Sequence, residues 1–329
     1  MPPGAAESAD IGFRFGFVNP GFDACSGSVR CRVLQSLGVM VGCEVTESTA
    51  MEPLRSTSST RHPRRRPRLA LSDSAADKRA GALSWVYGRH TVTAALANPE
   101  RCWYRLAVLA GQEQEAQALV AGATALRRGD GEPICVLDRG GFAALLSEDA
   151  VHQGLALAVE PLTEPDLEDI LRRAAGMSGR SVIVLLDEVS DPHNVGAVLR
   201  SASAFGALSV VVTMHRAPPA AGTLAKAASG ALESIPLIRV VNLARALDRL
   251  KDAGFWVCGL DETAEQTLAA LDLGERVALV LGSESAGMRR LVRERCDHLA
   301  RLPTRSRQST INVSNAAAVA LYELMRDGV

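Results

Sequence analysis

Apolar positions follow two different patterns along the chain. From Leu83 to Glu160, short apolar runs of strand length alternate with helical stretches, a pattern that predicts a small α/β domain. From Ser181 onward the apolar runs are nearly uninterrupted, as in Ser181–Leu186. Such runs are typical of strands buried on both faces of a parallel sheet. The pattern therefore predicts two α/β units in succession.

The two units are predicted to contain the following elements. In the first, the pattern predicts strands at 85–88, 104–110, 133–137 and 155–159, and helices at 89–97 and 112–127. In the second, it predicts strands at 181–186, 208–212, 235–241, 255–260, 276–281 and 298–302. Helical stretches separate the strands of the second unit, which predicts a parallel sheet of five or six strands. Residues 161–179 hold two prolines, several acids and one helical turn, and we interpret them as a linker.

The first 80 residues differ from both units. Residues 46–79 are rich in Ser, Thr, Pro and Arg, and they include the basic run 61–68. Such a composition cannot bury enough apolar surface to fold, so residues 1–80 are predicted to be a disordered extension. The basic run is compatible with an RNA-contacting arm and equally with a solvated tail that has no specific role. Met51 is an alternative translation start.

Composition places few limits on function. Apolar residues make up 47% of the 329 residues and charged residues 22%, as in an ordinary soluble protein. The net charge of −1 gives no global basic signature, although a neutral chain can carry a local basic face. The seven cysteines form no C-x-x-C pair, which favours free thiols in a reducing cytoplasm over disulfides or a metal site. The apolar run 33–45 is too short to span a bilayer, so we expect a cytoplasmic protein with no membrane contact.

Candidate chemistry lies in a polar loop that follows the strand 181–186. This loop leads through Pro192 and Asn194 into a helix that is predicted to start near Val195, and Arg200 lies within that helix. Asn194 and Arg200 could face one cleft, although a helix cap alone would explain Asn194. An arginine in an Ala- and Val-rich helix needs a partner for its charge.

Two further polar loops also follow predicted strands. Gly282 and Gly287 flank Glu284 directly after the strand 276–281, where glycine allows close approach of a ligand or a positive φ. The loop from Leu302 leads through Asn312 into an Ala-rich helix, whose first N–H groups suit a carboxylate or a phosphate. Taken separately, the first of these loops could be a structural turn and the second a helix cap. Ligands of open α/β sheets bind at the carboxyl ends of strands, so the three loops together predict one site.

These three loops resemble the motifs of the SpoU (TrmH-like) branch of the SPOUT RNA methyltransferases. The segment Asp191–Arg200 resembles the first motif, Gly282–Gly287 the second and Thr310–Ala316 the third, with threonine at 310 where the family usually has serine. The resemblance covers residues 180–326. In addition, residues 87–90 (Tyr-Gly-Arg-His) and 152–154 (His-Gln-Gly) are similar to the two ends of an L30e-like substrate-binding domain. Without the resemblance, the histidines in these two segments would be interpreted as structural.

The resemblance implies an α/β protein with a trefoil-knotted SPOUT domain at 180–329 and an L30e-like RNA-binding domain at 81–160. It implies a homodimer that transfers a methyl group from S-adenosylmethionine to a ribose 2′-hydroxyl of RNA. Because family members that carry the L30e-like domain include one that modifies a guanosine of 23S rRNA, this target is preferred. The implied catalytic residues are Asn194, Arg200, Glu284, Thr310 and Asn312. The implied donor-binding residues are Leu260, Leu281, Gly282, Gly287, Leu302 and Ile311.

Several alternatives stay open. The resemblance implies that Arg200 acts with an RNA phosphate, either as the base or as a clamp on that phosphate, whereas His193 is a second candidate base. Asn194 and Asn312 would hold the ribose or each other, and Glu284 would fix a loop backbone or the arginine. The RNA could instead be a tRNA, and the chain could be a non-catalytic RNA-binding or ribosome-assembly protein of the same fold. The chain has no G-x-G-x-x-G segment after a strand, which argues against a dinucleotide-dependent enzyme.

Overall fold

The computed structural model describes residues 83–147, 150–305 and 311–326. The predicted extension, residues 1–80, lies outside these ranges, as does Thr310 of the implied catalytic set. Within the described ranges, no helix is long and apolar enough to cross a membrane.

The first unit contains a five-stranded mixed sheet with three helices. Its elements are β1 Ser84–Tyr87, α1 Arg89–Ala97, β2 Cys102–Leu109, α2 Glu113–Ala121, β3 Leu126–Arg127, β4 Ile134–Leu137, α3 Arg139–Leu145 and β5 Leu155–Val159. Strand β5 lies between β1 and β2 and is antiparallel to both, whereas β3 and β4 each run parallel to a different part of β2. The predicted strand–helix alternation is confirmed for this unit.

Two elements of the first unit differ from the prediction. The helix predicted at 112–127 ends at Ala121, and residues 126–127 form the short strand β3 beside the start of β2. Gly122 caps the helix, and the next turn bonds back to α1, because the backbone N–H groups of Thr124 and Ala125 donate to the carbonyl of Leu96. Helix α3 was not predicted. It contains two glycines and depends on its buried Phe142 for its packing.

A helix also forms within the predicted linker at 161–179. Helix α4, Leu167–Ala175, begins with a capping box in which the side chains of Asp166 and Asp169 each accept from the other's backbone N–H. Its apolar face, which includes Ile170 and Leu171, is buried in one of the hydrophobic clusters beside the second sheet. The single predicted turn is therefore a nine-residue packed helix.

The second unit is built on a six-stranded sheet in which every pair is parallel, as predicted. The strand order is β11-β9-β10-β6-β7-β8. Its elements are β6 Ser181–Leu186, α5 Pro192–Ala204, β7 Ser209–Thr213, α6 Thr223–Ala228, β8 Leu237–Val240, α7 Leu243–Asp252, β9 Trp256–Leu260, β10 Arg276–Leu281, α8 Arg290–Arg293, β11 His298–Ala300 and α9 Val313–Met325. A short 3-10 turn, Ala231–Glu233, follows α6.

The central strand β6 is buried on both faces. Val184 and Leu186 belong to a large cluster that includes α5, α9 and core residues of the first unit, whereas Ile183 and Leu185 pack into the cluster that holds α4 and α7. Because side chains of a strand alternate between the two faces, each face carries its own helices. This burial keeps the ends of the central strands in fixed positions, and the polar loops follow those ends.

Candidate active site

Helix α5 begins three residues earlier than predicted. Asp191 is its N-cap, with a carboxylate oxygen that accepts from the backbone N–H of His193 at 3.0 Å, and Pro192 is its first residue. Proline suits that position because the first helical N–H has no partner within the helix. The predicted start near Val195 was therefore wrong, and Asn194 does not cap the helix. Its side-chain amide is free to bond elsewhere.

Asn194, Glu284 and Asn312 form one hydrogen-bonded cluster. The Nδ2 atom of Asn194 donates to Oε1 of Glu284 at 3.1 Å, and Nδ2 of Asn312 donates to Oδ1 of Asn194 at 3.1 Å. Nδ2 of Asn312 also donates to Oε1 of Glu284. The structure thus brings together residues from all three polar loops, although they are up to 118 positions apart in sequence.

The cluster also fixes the start of α9. Asn312 is the N-cap of this helix, and its Oδ1 atom accepts from the backbone N–H of Ser314 at 2.9 Å and from the Ser314 hydroxyl at 2.6 Å. Glu284 accepts from the backbone N–H of Val313 at 3.4 Å. A carboxylate at this end of a helix interacts favourably with the helix dipole. Glu284 therefore bonds to the first backbone N–H group of α9.

The loop that carries Glu284 has little space for side chains. Residues Ser283 and Gly287 exchange two backbone hydrogen bonds of 3.1 and 2.9 Å. A Cβ atom at Gly282 would lie 2.1 Å from the carbonyl carbon of Gly287, and Gly287 has a φ of 65°. Glycine is required at the first position by close approach and at the second by its positive φ.

An ion pair between a buried carboxylate and a half-exposed arginine, which was not predicted, holds the far side of this loop. Asp187 follows β6 and is fully buried, and its carboxylate accepts from the backbone N–H of Arg289 at 2.7 Å and from its Nε at 2.8 Å. These bonds raise the pKa of Arg289 above its usual value. The one feature of the sequence that could have predicted this pair is an acidic residue directly after a buried strand. The pair anchors the Glu284 loop to the centre of the sheet.

A cavity of about 1060 Å³ opens beside the cluster. Glu284 lies in its wall, together with all six implied donor-binding residues: Leu260, Leu281, Gly282, Gly287, Leu302 and Ile311. The wall also carries both signs of charge, including Asp261, Glu262 and Arg293, of which Asp261 and Arg293 form an ion pair. Apolar surface with a few charged groups of both signs fits a nucleoside joined to an amino acid. The cavity therefore fits the implied methyl donor.

Arg200 does not join the cluster. Six residues along an α-helix correspond to about 600° of rotation, so Arg200 points about 120° away from Asn194 around the helix axis. Its side chain is exposed, and it makes no hydrogen bond or ion pair with any residue in the described ranges. The expectation that its charge needs a protein partner was wrong because solvent reaches it. His193 is also exposed, on the same helix.

The two histidine-containing segments of the first unit lie side by side. The ring of His152 stacks on Phe142 at 4.2 Å, and its Nδ1 atom accepts from the backbone N–H of Gly154 at 3.0 Å. Burial lowers the pKa of His152. The stacked ring and its Nδ1 atom therefore hold the loop before β5, which agrees with a structural interpretation of this histidine. Gln153 bonds to the start of α1, where its amide oxygen accepts from the backbone N–H of Arg89 at 3.2 Å.

Comparison with known families gives two matches in chain order. The profile of the SpoU rRNA Methylase family matches residues 181–322, which include all the polar loops of the second sheet. A profile described as RNA 2′-O ribose methyltransferase substrate binding matches residues 85–165. The second match corresponds to the five-stranded unit.

Individual proteins agree with these matches. A Pseudomonas aeruginosa protein, the 23S rRNA (guanosine-2′-O-)-methyltransferase RlmB, is 40% identical over 246 residues, which are 73% of this chain and 95% of the relative. An uncharacterized tRNA/rRNA methyltransferase of Synechocystis is 37% identical over 74% of this chain, which spans 63% of that longer protein.

A solved structure gives the same fold. The crystal structure of the SpoU methyltransferase AviRb from Streptomyces viridochromogenes, in complex with AdoMet, matches with a TM-score of 0.63 at 23% identity. The alignment covers 77% of this chain and 93% of AviRb, and it confirms the α/β fold. Because the relative from Pseudomonas is matched over nearly its whole length, the resemblance stated from the motifs is confirmed: the chain belongs to the SpoU rRNA methylase family.

Proposed function

We propose that this protein transfers a methyl group from S-adenosylmethionine to the ribose 2′-hydroxyl of a guanosine in 23S rRNA. The observation that carries the proposal is the cluster of Asn194, Glu284 and Asn312, which borders the cavity through Glu284. As a SpoU family member, the chain is an S-adenosylmethionine-dependent RNA methyltransferase. The guanosine target is supported by the 40% identity to the Pseudomonas protein named for that activity.

The cavity residues would hold the donor mainly through backbone groups. Gly282 lets the loop backbone reach the cavity wall without a side chain in the way, and Leu302 and Ile311 supply apolar surface from the opposite loop. The charged wall residues suit the donor's charged amino-acid portion. S-adenosylmethionine, when bound, supplies a sulfonium-activated methyl group.

The residues of the cluster would orient the ribose. Displacement at a methyl carbon requires the attacking oxygen to be held in line with the bond that breaks. Asn194 and Asn312 hold each other, and Glu284 ties both to the start of α9, so their polar atoms are fixed before RNA arrives. Thr310 completes the set by resemblance and stays a prediction, because it lies outside the described residues.

Arg200 would bind the RNA phosphate next to the target ribose. A guanidinium offers five donors in a planar fork that matches phosphate oxygens, and it keeps its proton at neutral pH. None of these donors is used by another described residue, since Arg200 is exposed and unpaired there. We therefore assign Arg200 to phosphate binding.

We also propose that the protein is a homodimer and that its second unit carries the trefoil knot. Support for the dimer comes from α9, where Val319 and Tyr322 are about half exposed on one face although both are large and apolar. Tyr322 also contacts Phe205 edge-on at the end of α5. A second copy of the chain packed on this face would cover it. The L30e-like identity of the first unit, the boundaries of the domains and a cytoplasmic location stay predictions.

The proposal is tested by methyl transfer from labelled S-adenosylmethionine to purified 23S rRNA and to tRNA, followed by nucleoside analysis. We expect 2′-O-methylguanosine in 23S rRNA and no label in tRNA. Label in tRNA alone would support the tRNA alternative, and a failure to bind S-adenosylmethionine in calorimetry would support the non-catalytic one.

Two variants test the phosphate clamp in the same assay. Arg200→Ala should lower transfer at least 100-fold while the Kd for S-adenosylmethionine stays within about twofold, because loss of one positioning contact misplaces the ribose. Arg200→Lys keeps the charge but loses the planar fork, so it should recover only part of the activity. Turnover of Arg200→Ala within a few-fold of the unchanged protein would contradict the assignment.

A further inference from the structure

The side-chain amide oxygen of one glutamine in the first unit bonds to a lysine of the second unit. Oε1 of Gln153, in the loop before β5, accepts from Nζ of Lys226 in α6 at 2.7 Å. The same oxygen accepts from the backbone N–H of Arg89, the first residue of α1, at 3.2 Å. The side chain of Gln153 therefore links Lys226 of α6 to the start of α1.

The backbone around this contact adopts uncommon conformations on both sides. In the described ranges only three non-glycine residues have a positive φ, and two of them are here: Gln153 at 54° and Ser229 at 51°. Gly88 and Gly230, at 90° and 94°, lie at the same junction. A Cβ atom at Gly88 would lie 2.9 Å from Cδ of Lys226, so the lysine stem packs directly on this glycine. Strained backbone persists only where the surrounding structure holds it, and it concentrates at functional positions.

Lys226 is poorly explained as a stabilising residue. It forms no ion pair with a carboxylate in the described ranges, and burial lowers the pKa of its amine. The Lys226 side chain is only partly buried, and partial desolvation of a cation without a counter-ion does not favour folding. The two units are already joined by the buried pair of Arg101 and Glu233 and by a hydrogen bond of 3.2 Å from the Thr91 hydroxyl to the carbonyl of Ala225. The contact with Gln153 thus calls for a different explanation.

Helix α6 also packs closely on α5. A Cβ atom at Gly196 of α5 would lie 2.5 Å from Cβ of Ala227, the residue after Lys226. Helix α5 carries Asn194, in the hydrogen-bonded cluster, and Arg200. Helix α6 therefore lies between the first unit and the helix that supplies two of the proposed catalytic residues.

We propose that Lys226 and Gln153 are positioning residues, whose contact sets the orientation of the substrate-binding unit relative to α5. RNA held by the first unit would then present its ribose to Asn194 and Asn312 in line for transfer. This inference rests on the proposed function. A displacement of about 1 Å at a reacting centre can lower a rate by about 100-fold, so a contact remote from the chemistry can control it.

The test uses the full chain with Lys226→Met, Gln153→Asn, the double variant and Lys226→Arg. Methionine keeps the stem on Gly88 without the charge, and asparagine tolerates a positive φ but is one methylene too short to reach. Four quantities are measured: the single-turnover rate of methyl transfer to 23S rRNA, the Kd for that RNA, the Kd for S-adenosylmethionine and the melting temperature.

We expect each single variant to lower the transfer rate by about 10- to 100-fold, with both Kd values within about twofold and the melting temperature nearly unchanged. The double variant should be no slower than Gln153→Asn alone, because both single variants remove the contact between Lys226 and Gln153 and only Gln153→Asn also removes the bond to Arg89. Lys226→Arg should stay within about threefold of the unchanged protein, since it keeps a donor at the same place.

Three results would overturn the positioning role. A raised Kd for RNA with a weaker salt dependence would make Lys226 a direct phosphate contact. A large loss of melting temperature would make the contact structural. Unchanged rates in both single variants would remove its role in transfer. If the unchanged protein itself transfers no methyl group to RNA, the proposed function fails, and that failure is visible before any variant is compared.

Discussion

At the scale of the residue, single side chains at the site combine structural and chemical roles. The amide oxygen of Asn312 caps α9, while its Nδ2 atom donates to Asn194 and Glu284. Glu284 likewise joins two helices and borders the cavity. Because the same groups hold the helix starts and form the site, a change at either residue should disturb stability and activity together.

Gly282 gives a specific prediction, because there is no space for a side chain at this position. In Gly282→Ala, the new methyl group would lie 2.1 Å from the carbonyl carbon of Gly287, so the loop that lines the cavity must move. We expect the Kd for S-adenosylmethionine, measured by calorimetry, to rise at least 10-fold, which corresponds to about 1.4 kcal/mol. The matched control is Gly176→Ala at the end of α4, where the nearest atom is 3.8 Å away. Equal donor affinity in the two variants would contradict the close-approach argument.

At the scale of the element, the 3-10 turn that follows α6 is held to the first unit by a buried ion pair. Arg101 donates to both carboxylate oxygens of Glu233, whose Oε2 atom also accepts from Asn98 at 2.9 Å. The side chains of Arg101 and Glu233 are 3% and 6% exposed. Breaking such a pair leaves an uncompensated buried charge. Removing one partner should therefore lower the free energy of unfolding by more than the intact pair contributes to it.

Glu233→Gln tests this pair. We expect it to lower the free energy of unfolding in urea by about 3 kcal/mol, because Arg101 keeps its charge in a buried position. The control is Glu168→Gln, which removes the exposed contact with Arg249 and should cost less than about 1 kcal/mol. If the free energy of unfolding fell by similar amounts in the two variants, the burial of Arg101 would not be the cause of the destabilisation.

At the scale of the whole molecule, the exposed face of α9 bears on whether the protein is a monomer or a dimer. A monomer would expose Val319 and Tyr322, at 49% and 56%, on α9, the helix that Asn312 caps. In a dimer through this face, the site of one protomer would lie near its partner. The proposed homodimer thus has consequences for catalysis as well as for assembly.

The double variant Val319→Glu with Tyr322→Arg tests the dimer. We expect sedimentation velocity to give twice the chain mass of 34.8 kDa for the unchanged protein and a single chain mass for the variant. Charged groups on this face would lose their solvation on association. Val241→Arg, at an exposed valine outside α9, is the control and should stay dimeric. An unchanged protein that sediments as a monomer would end the proposal.

The sequence by itself determined the strand positions and the parallel arrangement of the second sheet, together with the position of its three polar loops, but not the order of the strands. A strand buried on both faces must be apolar throughout, and the polar residues that follow it mark its end, so both features are local in sequence. A parallel sheet of five or six strands and the loops at Asn194, Glu284 and Asn312 could therefore be predicted from the residues, and the structure has six strands. The start of α5 was misplaced because Asp191 and Asn194 are both good caps, and only the folded backbone chose between them.

Only the tertiary structure decided which side chains pair. Asp187 with Arg289, and Lys226 with Gln153, are separated by 102 and 73 positions, and no local pattern encodes such partners. The exposure of Arg200 likewise could not be predicted, because the composition of a helix does not say which of its faces meets solvent. Burial and pairing depend on how helices pack against the sheet, and the packing is a property of the whole folded chain.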